Sequence, residues 1–120
     1  MNILVTGGAG YIGSQTCVEL IKAGYTPIVI DNLSNSNPES LHRVTEITGS
    51  DIIFIEGDVR NEALLEDIFH KHEITCVIHF AGLKAVSESV EKPLDYYQNN
   101  LGATMVICRV MMKYNVKRFI

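Results

Sequence analysis

No stretch of these 120 residues stays apolar long enough to cross a bilayer. At the N-terminus, where a secretory signal would need a charged region and then an apolar run, a strand-like segment already begins. The expectation is a soluble, cytoplasmic chain with no membrane partner. Basic blocks are missing too. Ten Lys and Arg against fourteen Asp and Glu leave a net charge of −4, and no concentrated positive field argues for nucleic acid or anionic lipid as a partner. Any anionic ligand must therefore be held locally. Cysteine is scarce: Cys17, Cys76 and Cys108 are odd in number, lack C-x-x-C spacing and sit in apolar contexts, as reduced thiols packed in a core would. Histidine offers no metal pair, because His70 and His72 stand two apart on a helical segment and splay to different faces. His42 reads as exposed and His79 as packed in a strand. No repeat or low-complexity linker divides the chain, and 47% hydrophobic residues suffice for one core, so residues 1–120 read as one domain.

What is present begins with T-G-G-A-G-Y-I-G, residues 6–13, directly after the apolar run Ile3, Leu4, Val5. A strand, a glycine turn and a helix start in that order form a site for a diphosphate, since the first amides of a helix lack partners and its dipole adds partial positive charge. Gly7 or Gly8 suits the positive φ of the turn, Gly10 admits a phosphate close to the backbone, and Gly13 lets helix and strand pack closely. A second apolar run, Ile28 to Ile30, leads to Asp31, about twenty residues beyond the glycines, where a carboxylate would bind an adenosine ribose and repel a 2′-phosphate. That pairing reads as a site for NAD rather than NADP. The other reading of Asp31 is that it opens the turn D-N-L-S-N-S.

Strand and helix signals alternate from there. Residues 2–6, 27–30, 52–56 and 75–80 read as strands apolar on both faces, as parallel strands covered by helices on each side require. Helices are expected over residues 11–23, from Asn37 with Pro38 in the first turn, from near Asn61 with Leu64, Leu65, Ile68 and Phe69 inward, and over residues 93–114. The fold class is α/β, a Rossmann-like doubly wound parallel sheet, truncated at the start of a fifth strand over residues 117–120. That end reads as a piece of a longer protein, leaving the fourth strand with an unpaired edge. The last helix is apolar around nearly its whole circumference, which implies burial on more than one side, against the sheet and against either further chain or a second subunit.

Five motifs together carry a resemblance over all 120 residues: T-G-G-A-G-Y-I-G-S (6–14), D-N-L-S-N-S (31–36), G-D-V-R (57–60), H-F-A-G-L-K-A-V-S-E-S (79–89) and P-L-D-Y-Y-Q-N-N (93–100). The chain resembles the N-terminal part of the sugar-nucleotide 4-epimerases of the extended short-chain dehydrogenase/reductase superfamily, which interconvert UDP-glucose and UDP-galactose. The resemblance implies cofactor contacts residue by residue. Gly7, Gly10, Tyr11, Ile12 and Gly13 would serve the diphosphate, with Tyr11 and Ile12 acting through their backbone amides. Asp31, Asn32, Asn35 and Ser36 would surround the adenosine ribose, while Asp58 and Val59 would flank adenine. Phe80, Ala81, Gly82, Lys84 and Asn99 would meet the nicotinamide half. Read from the residues alone, Asp58 could instead cap the helix near Asn61, Lys84 could be a solvated loop lysine, and Asn99 could bond a loop carbonyl. Where the family commonly has glycine this chain has Ser87, and where it commonly has a polar residue and then glycine this chain has Gly102 and Ala103.

The resemblance also implies a reaction. A tyrosine of a Tyr-x-x-x-Lys motif takes the C4 hydroxyl proton of a UDP-hexose while hydride passes to NAD, and the 4-keto sugar turns over before hydride returns. None of Tyr11, Tyr25, Tyr96, Tyr97 and Tyr114 has lysine four residues on, so no catalytic residue is assigned and the 120 residues alone are expected to be inactive. A homodimer through the fourth helix is a further expectation. Another sugar-nucleotide epimerase or dehydratase, or a non-catalytic dinucleotide-binding module, remain alternatives.

Overall fold

A computed structural model describes residues 1–82 and 86–120, with backbone only at 86 and 87. The strands are β1 Asn2–Thr6, β2 Thr26–Asp31, β3 Ile53–Glu56 and β4 Ile74–His79, all parallel in the order β3-β2-β1-β4. The helices are α1 Tyr11–Lys22, α2 Glu39–Thr48, α3 Glu62–His72, α4 Val86–Glu91, α5 Pro93–Tyr96 and α6 Gly102–Lys113, with a π-helical turn, Tyr97–Leu101, joining the last two. Side chains alternate across a strand, so a sheet covered on both faces needs apolar residues at consecutive positions. β1 shows this directly. Leu4 packs with Ile28, Leu65, Ile68, Ile107 and Val110 on the α3–α6 side, whereas Ile3 and Val5 pack with Cys17, Val18, Leu41 and Val44 on the α1–α2 side.

This is the doubly wound α/β arrangement that the alternation predicts. The chain leaves β1 toward β2 and β3, then crosses back to β4 on the other side, so β1 and β4 flank the point where the winding reverses. Helix ends follow local chemistry. Asn61 caps α3 by accepting the Leu64 amide at 3.2 Å, as short polar side chains at that position do. Gly49 closes α2 in the left-handed conformation, φ +72°. α2 starts at Glu39, with Asn37 Oδ1 accepting the Glu39 amide at 2.9 Å and Pro38 between them. Across α3 and α6, Arg109 pairs with Glu62 at 3.0 Å and Lys113 with Glu66 at 2.9 Å.

Two expectations need correction. The fourth strand does not have a bare outer edge: His79 N–H donates to Ile120 O at 2.8 Å and Val77 N–H to Arg118 O at 2.9 Å, with Val77 and Phe119 in a parallel bridge. The last helix, by contrast, packs one face of its apolar girdle on the sheet as expected. Ala103, Val106, Ile107, Val110 and Met111 are buried, while Leu101, Met105 and Met112 are 54%, 60% and 81% exposed, because only one side of the cylinder faces the sheet. The second correction is that the expected helix over 93–114 is interrupted by the π-helical turn, and the separate helix α4 precedes it.

Candidate nucleotide site

The strand ends are laced into one rim by backbone hydrogen bonds. Gly7 N–H donates to Ile30 O at 2.8 Å, Gly57 N–H to Asp31 O at 3.0 Å, and Phe80 N–H to Thr6 O at 3.0 Å. Above this rim opens a crevice lined by Gly7, Ile30, Asp31, Asn32, Ser34, Asn35, Ser36, Gly57, Asp58, Val59, Phe80, Ala81, Gly82 and Asn99. Eleven of the residues singled out from the sequence therefore meet in one place, drawn from the turns after β1, β2, β3 and β4 and from the π-helical turn. Ile30, Ser34 and Gly57 join them unpredicted; Ser34 and Gly57 lay within quoted motifs, and Ile30 at the end of an apolar run carried no signal of its own.

Gly10, Tyr11, Ile12 and Gly13 do not line the crevice. They form the start of α1 beside it, where the Tyr11 and Ile12 side chains are 83% and 58% exposed. Lys84 lies outside the described residues. Gly10 caps α1 with no side-chain hydrogen bond, and the first turn holds no acidic residue. Its leading amides and positive dipole end thus have no side-chain counter-charge from their own helix. Two glycines make the turn sterically feasible. Gly7 has φ +67°, and a Cβ there would sit 2.7 Å from Ala81 N; at Gly13 a Cβ would sit 2.5 Å from Gly7 O. Side chains at either position would push the turn away from β4 or α1 away from the turn.

Asp31 is 8% exposed, yet it accepts three hydrogen bonds: Ala9 N–H at 3.1 Å on Oδ2, and Leu33 N–H at 2.8 Å and Ser36 Oγ–H at 2.9 Å on Oδ1. Asp31 organises the following turn, with Leu33 at φ +60°, and it also stands on the crevice wall. Asp58 does not cap α3, a role filled by Asn61; its carboxylate instead accepts the Arg60 backbone N–H at 2.8 Å and the Arg60 guanidinium at 2.7 Å. That guanidinium holds the Asp58 carboxyl below the usual carboxylate range. On the β4 side, Thr6 Oγ1 accepts the Ala81 amide at 3.2 Å and lies 2.6 Å from His79 Nδ1, fixing the backbone where Phe80 to Gly82 enter the crevice. Among the described residues lining the crevice, none is Lys or Arg.

The sequence pattern of the NAD dependent epimerase/dehydratase family matches residues 3–120. The chain belongs to that family. Within it, the chain is 58% identical over 120 residues to a UDP-glucose 4-epimerase of Bacillus subtilis (strain 168), covering 100% of this chain and 35% of that protein. It is 52% identical to a UDP-glucose 4-epimerase of Klebsiella pneumoniae, covering 100% of this chain and 86% of that sequence. Among solved structures of the epimerase family, UDP-glucose 4-epimerase from Bifidobacterium longum in complex with NAD+ and UDP superposes with a TM-score of 0.97 at 53% identity, over 99% of this chain and 36% of that one. The chain thus spans about a third of the length of most of these relatives. Among the described residues, no helix is long and apolar enough to cross a membrane, and no group of three His, Cys, Asp or Glu is arranged to hold a metal ion.

Proposed function

We propose that residues 1–120 are the NAD-binding domain of a cytoplasmic UDP-glucose 4-epimerase, which in the whole protein interconverts UDP-glucose and UDP-galactose in galactose metabolism. The observation that carries this reading is a helix start without side-chain cap or acidic residue lying beside a crevice whose wall carries a buried carboxylate, Asp31, from the neighbouring strand end. The first suits a diphosphate and the second a ribose hydroxyl. NAD fits the residues present. A carboxylate offers about four acceptor positions, and Asp31 has three hydrogen bonds from its own chain, so acceptor capacity remains for a ribose. A 2′-phosphate would meet that carboxylate with no described Lys or Arg on the lining to offset it.

In this reading the amides of Tyr11 and Ile12 hold the diphosphate, Gly7 and Gly10 keep the approach clear, and Gly13 lets α1 pack closely on the turn. Asn32, Asn35 and Ser36 surround the ribose beside Asp31, and Asp58 and Val59 flank adenine. Phe80, Ala81, Gly82 and Asn99, with Lys84, receive the nicotinamide half. Bound NAD supplies the hydride acceptor for a sugar carbon. Because no tyrosine here has lysine four residues on, these 120 residues by themselves do not turn over UDP-hexoses. Leu94, Tyr97, Leu101, Met105 and Met112 form an exposed apolar series on α5 to α6, which supports a homodimer through that face. The relatives named above are UDP-glucose 4-epimerases, which weighs against a non-catalytic dinucleotide module or a different sugar-nucleotide enzyme.

Calorimetric titration with NAD and with NADP tests the site: clear preference for NAD is expected, and equal or tighter NADP binding overturns it. Measurable epimerisation by the 120-residue chain would overturn the claim that it is inactive alone.

A further inference from the structure

Asp58 is held far more firmly than its location requires. Its carboxylate accepts the Arg60 backbone N–H at 2.8 Å, Arg60 Nε–H at 3.1 Å on Oδ1 and 3.2 Å on Oδ2, and Arg60 Nη2–H at 2.7 Å. The pair is open to water, with side-chain exposures of 35% for Asp58 and 43% for Arg60. Exposed ion pairs add about 0–1 kcal/mol to stability, so this one is a weak contributor to the fold. Helix capping does not explain it either, since Asn61 caps α3. What the pair does achieve is orientation. Four hydrogen bonds remove the two torsional freedoms of a short carboxylate on the crevice wall, beside the buried Val59. Arg60 runs past the start of α6, its Cδ lying 3.8 Å from where a Cβ on Gly102 would stand.

We propose that Arg60 is the positioning residue for adenine recognition, locking the Asp58 carboxylate in the orientation from which it accepts a hydrogen bond from the exocyclic amine of the base. This inference rests on the dinucleotide reading of the site. Three donors, the Arg60 amide, Nη2–H and an Nε–H shared between both oxygens, take three of the carboxylate's about four acceptor positions and leave one on Oδ2 for the base, while the guanidinium charge keeps the carboxyl ionised. A planar, bidentate donor does this where an ammonium would not, because lysine lacks the fork. Arg60 touches no part of the dinucleotide in this account; it acts through Asp58.

The probe is nicotinamide hypoxanthine dinucleotide, which keeps the diphosphate and both riboses of NAD but carries a carbonyl oxygen in place of the amine. The native chain should prefer NAD by about tenfold, the ratio a hydrogen bond to a charged acceptor supports. In Arg60→Gln the ratio should collapse to within about twofold. Arg60→Lys, which retains charge and stem and guards against loss of the fold in the first variant, should narrow it as well. Carbon-13 NMR of the Asp58 carboxyl should show its titration moving up toward the ordinary aspartate range in Arg60→Gln. Equal weakening of both dinucleotides, or an unchanged ratio in both Arg60 variants while Asp58→Asn abolishes it, overturns the inference alone. An unchanged ratio in Asp58→Asn, or no preference in the native chain, overturns instead the placement of adenine and with it the reading of the site.

Discussion

The Asp31 carboxylate at the end of β2 accepts the amide of Ala9, 22 residues earlier, at 3.1 Å. One side chain thereby ties the glycine turn after β1 to the polar turn after β2. Ser40 adds a second tie from α2, its hydroxyl donating to Ala9 O at 2.6 Å. The two walls of the crevice are thus braced from within the chain.

Asp31→Asn leaves one oxygen to do the work of two. Ala9 N–H and the Leu33 and Ser36 donors sit on opposite oxygens, so whichever way the amide turns, a donor faces an NH2 group. A buried donor left unpaired costs about 1–3 kcal/mol. Urea unfolding should register that loss, and titration should show weaker NAD binding with a narrower gap to NADP.

Gly13→Ala forces a methyl to 2.5 Å from Gly7 O and 2.7 Å from Gly8 Cα, both backbone atoms that cannot rotate aside. Overpacking of this kind costs about 1–3 kcal/mol. The turn must shift away from α1, so NAD affinity should fall by more than the loss in stability accounts for. Calorimetric binding measured well below the unfolding transition separates the two effects.

Burial pushes the Cys17 thiol up to about 12, and Cys76 is raised for the same reason. The thiolate is the reactive form. At pH 8 iodoacetamide should label the half-buried Cys108 first, with Cys17 reacting only as the chain unfolds, read by mass spectrometry of digested peptides. A thiol raised in the folded state contributes its stability below the unfolded value. That contribution is intact at neutral pH and is lost progressively as pH climbs from about 9.

Met105→Glu places a charge on the exposed side of α6, at a position 60% open to solvent. Stability should stay within about 0.5 kcal/mol, as for surface changes that touch no packed contact. If the proposed homodimer forms through this face, a charge at its centre would separate it, and sedimentation should show native dimer and variant monomer at the same concentration.

Strand positions were legible because short runs of consecutive apolar residues such as Ile3, Leu4 and Val5 suit a sheet covered on both faces. The cluster around Asp31 was legible in outline through glycine spacing and an acidic residue after an apolar run. The Ala9 brace was not, since a distance across two turns leaves no trace in residue order. For Asp58, sequence left open a choice between base contact and helix cap; the cap belongs to Asn61, and the Arg60 partner follows from a side-chain conformation that composition does not encode. α4 escaped notice because V-S-E-S-V-E has too short an apolar period to read as helix. Exposure on α6 depended on which flank meets the sheet, and a girdle of methionine and valine does not specify that.

The widened turn at Tyr97–Leu101 carries Asn99 into the crevice while α6 stays seated by Ala103, Val106 and Ile107. Excising one residue there would rewind the backbone to a uniform spiral and swing Asn99 about 100° around the axis. The amide would then point off the cavity with the hydrophobic layer untouched. Which side chain lines this flank of the crevice is therefore set by one extra residue in the turn, a dial that evolution or an engineer can turn without disturbing the framework beneath it.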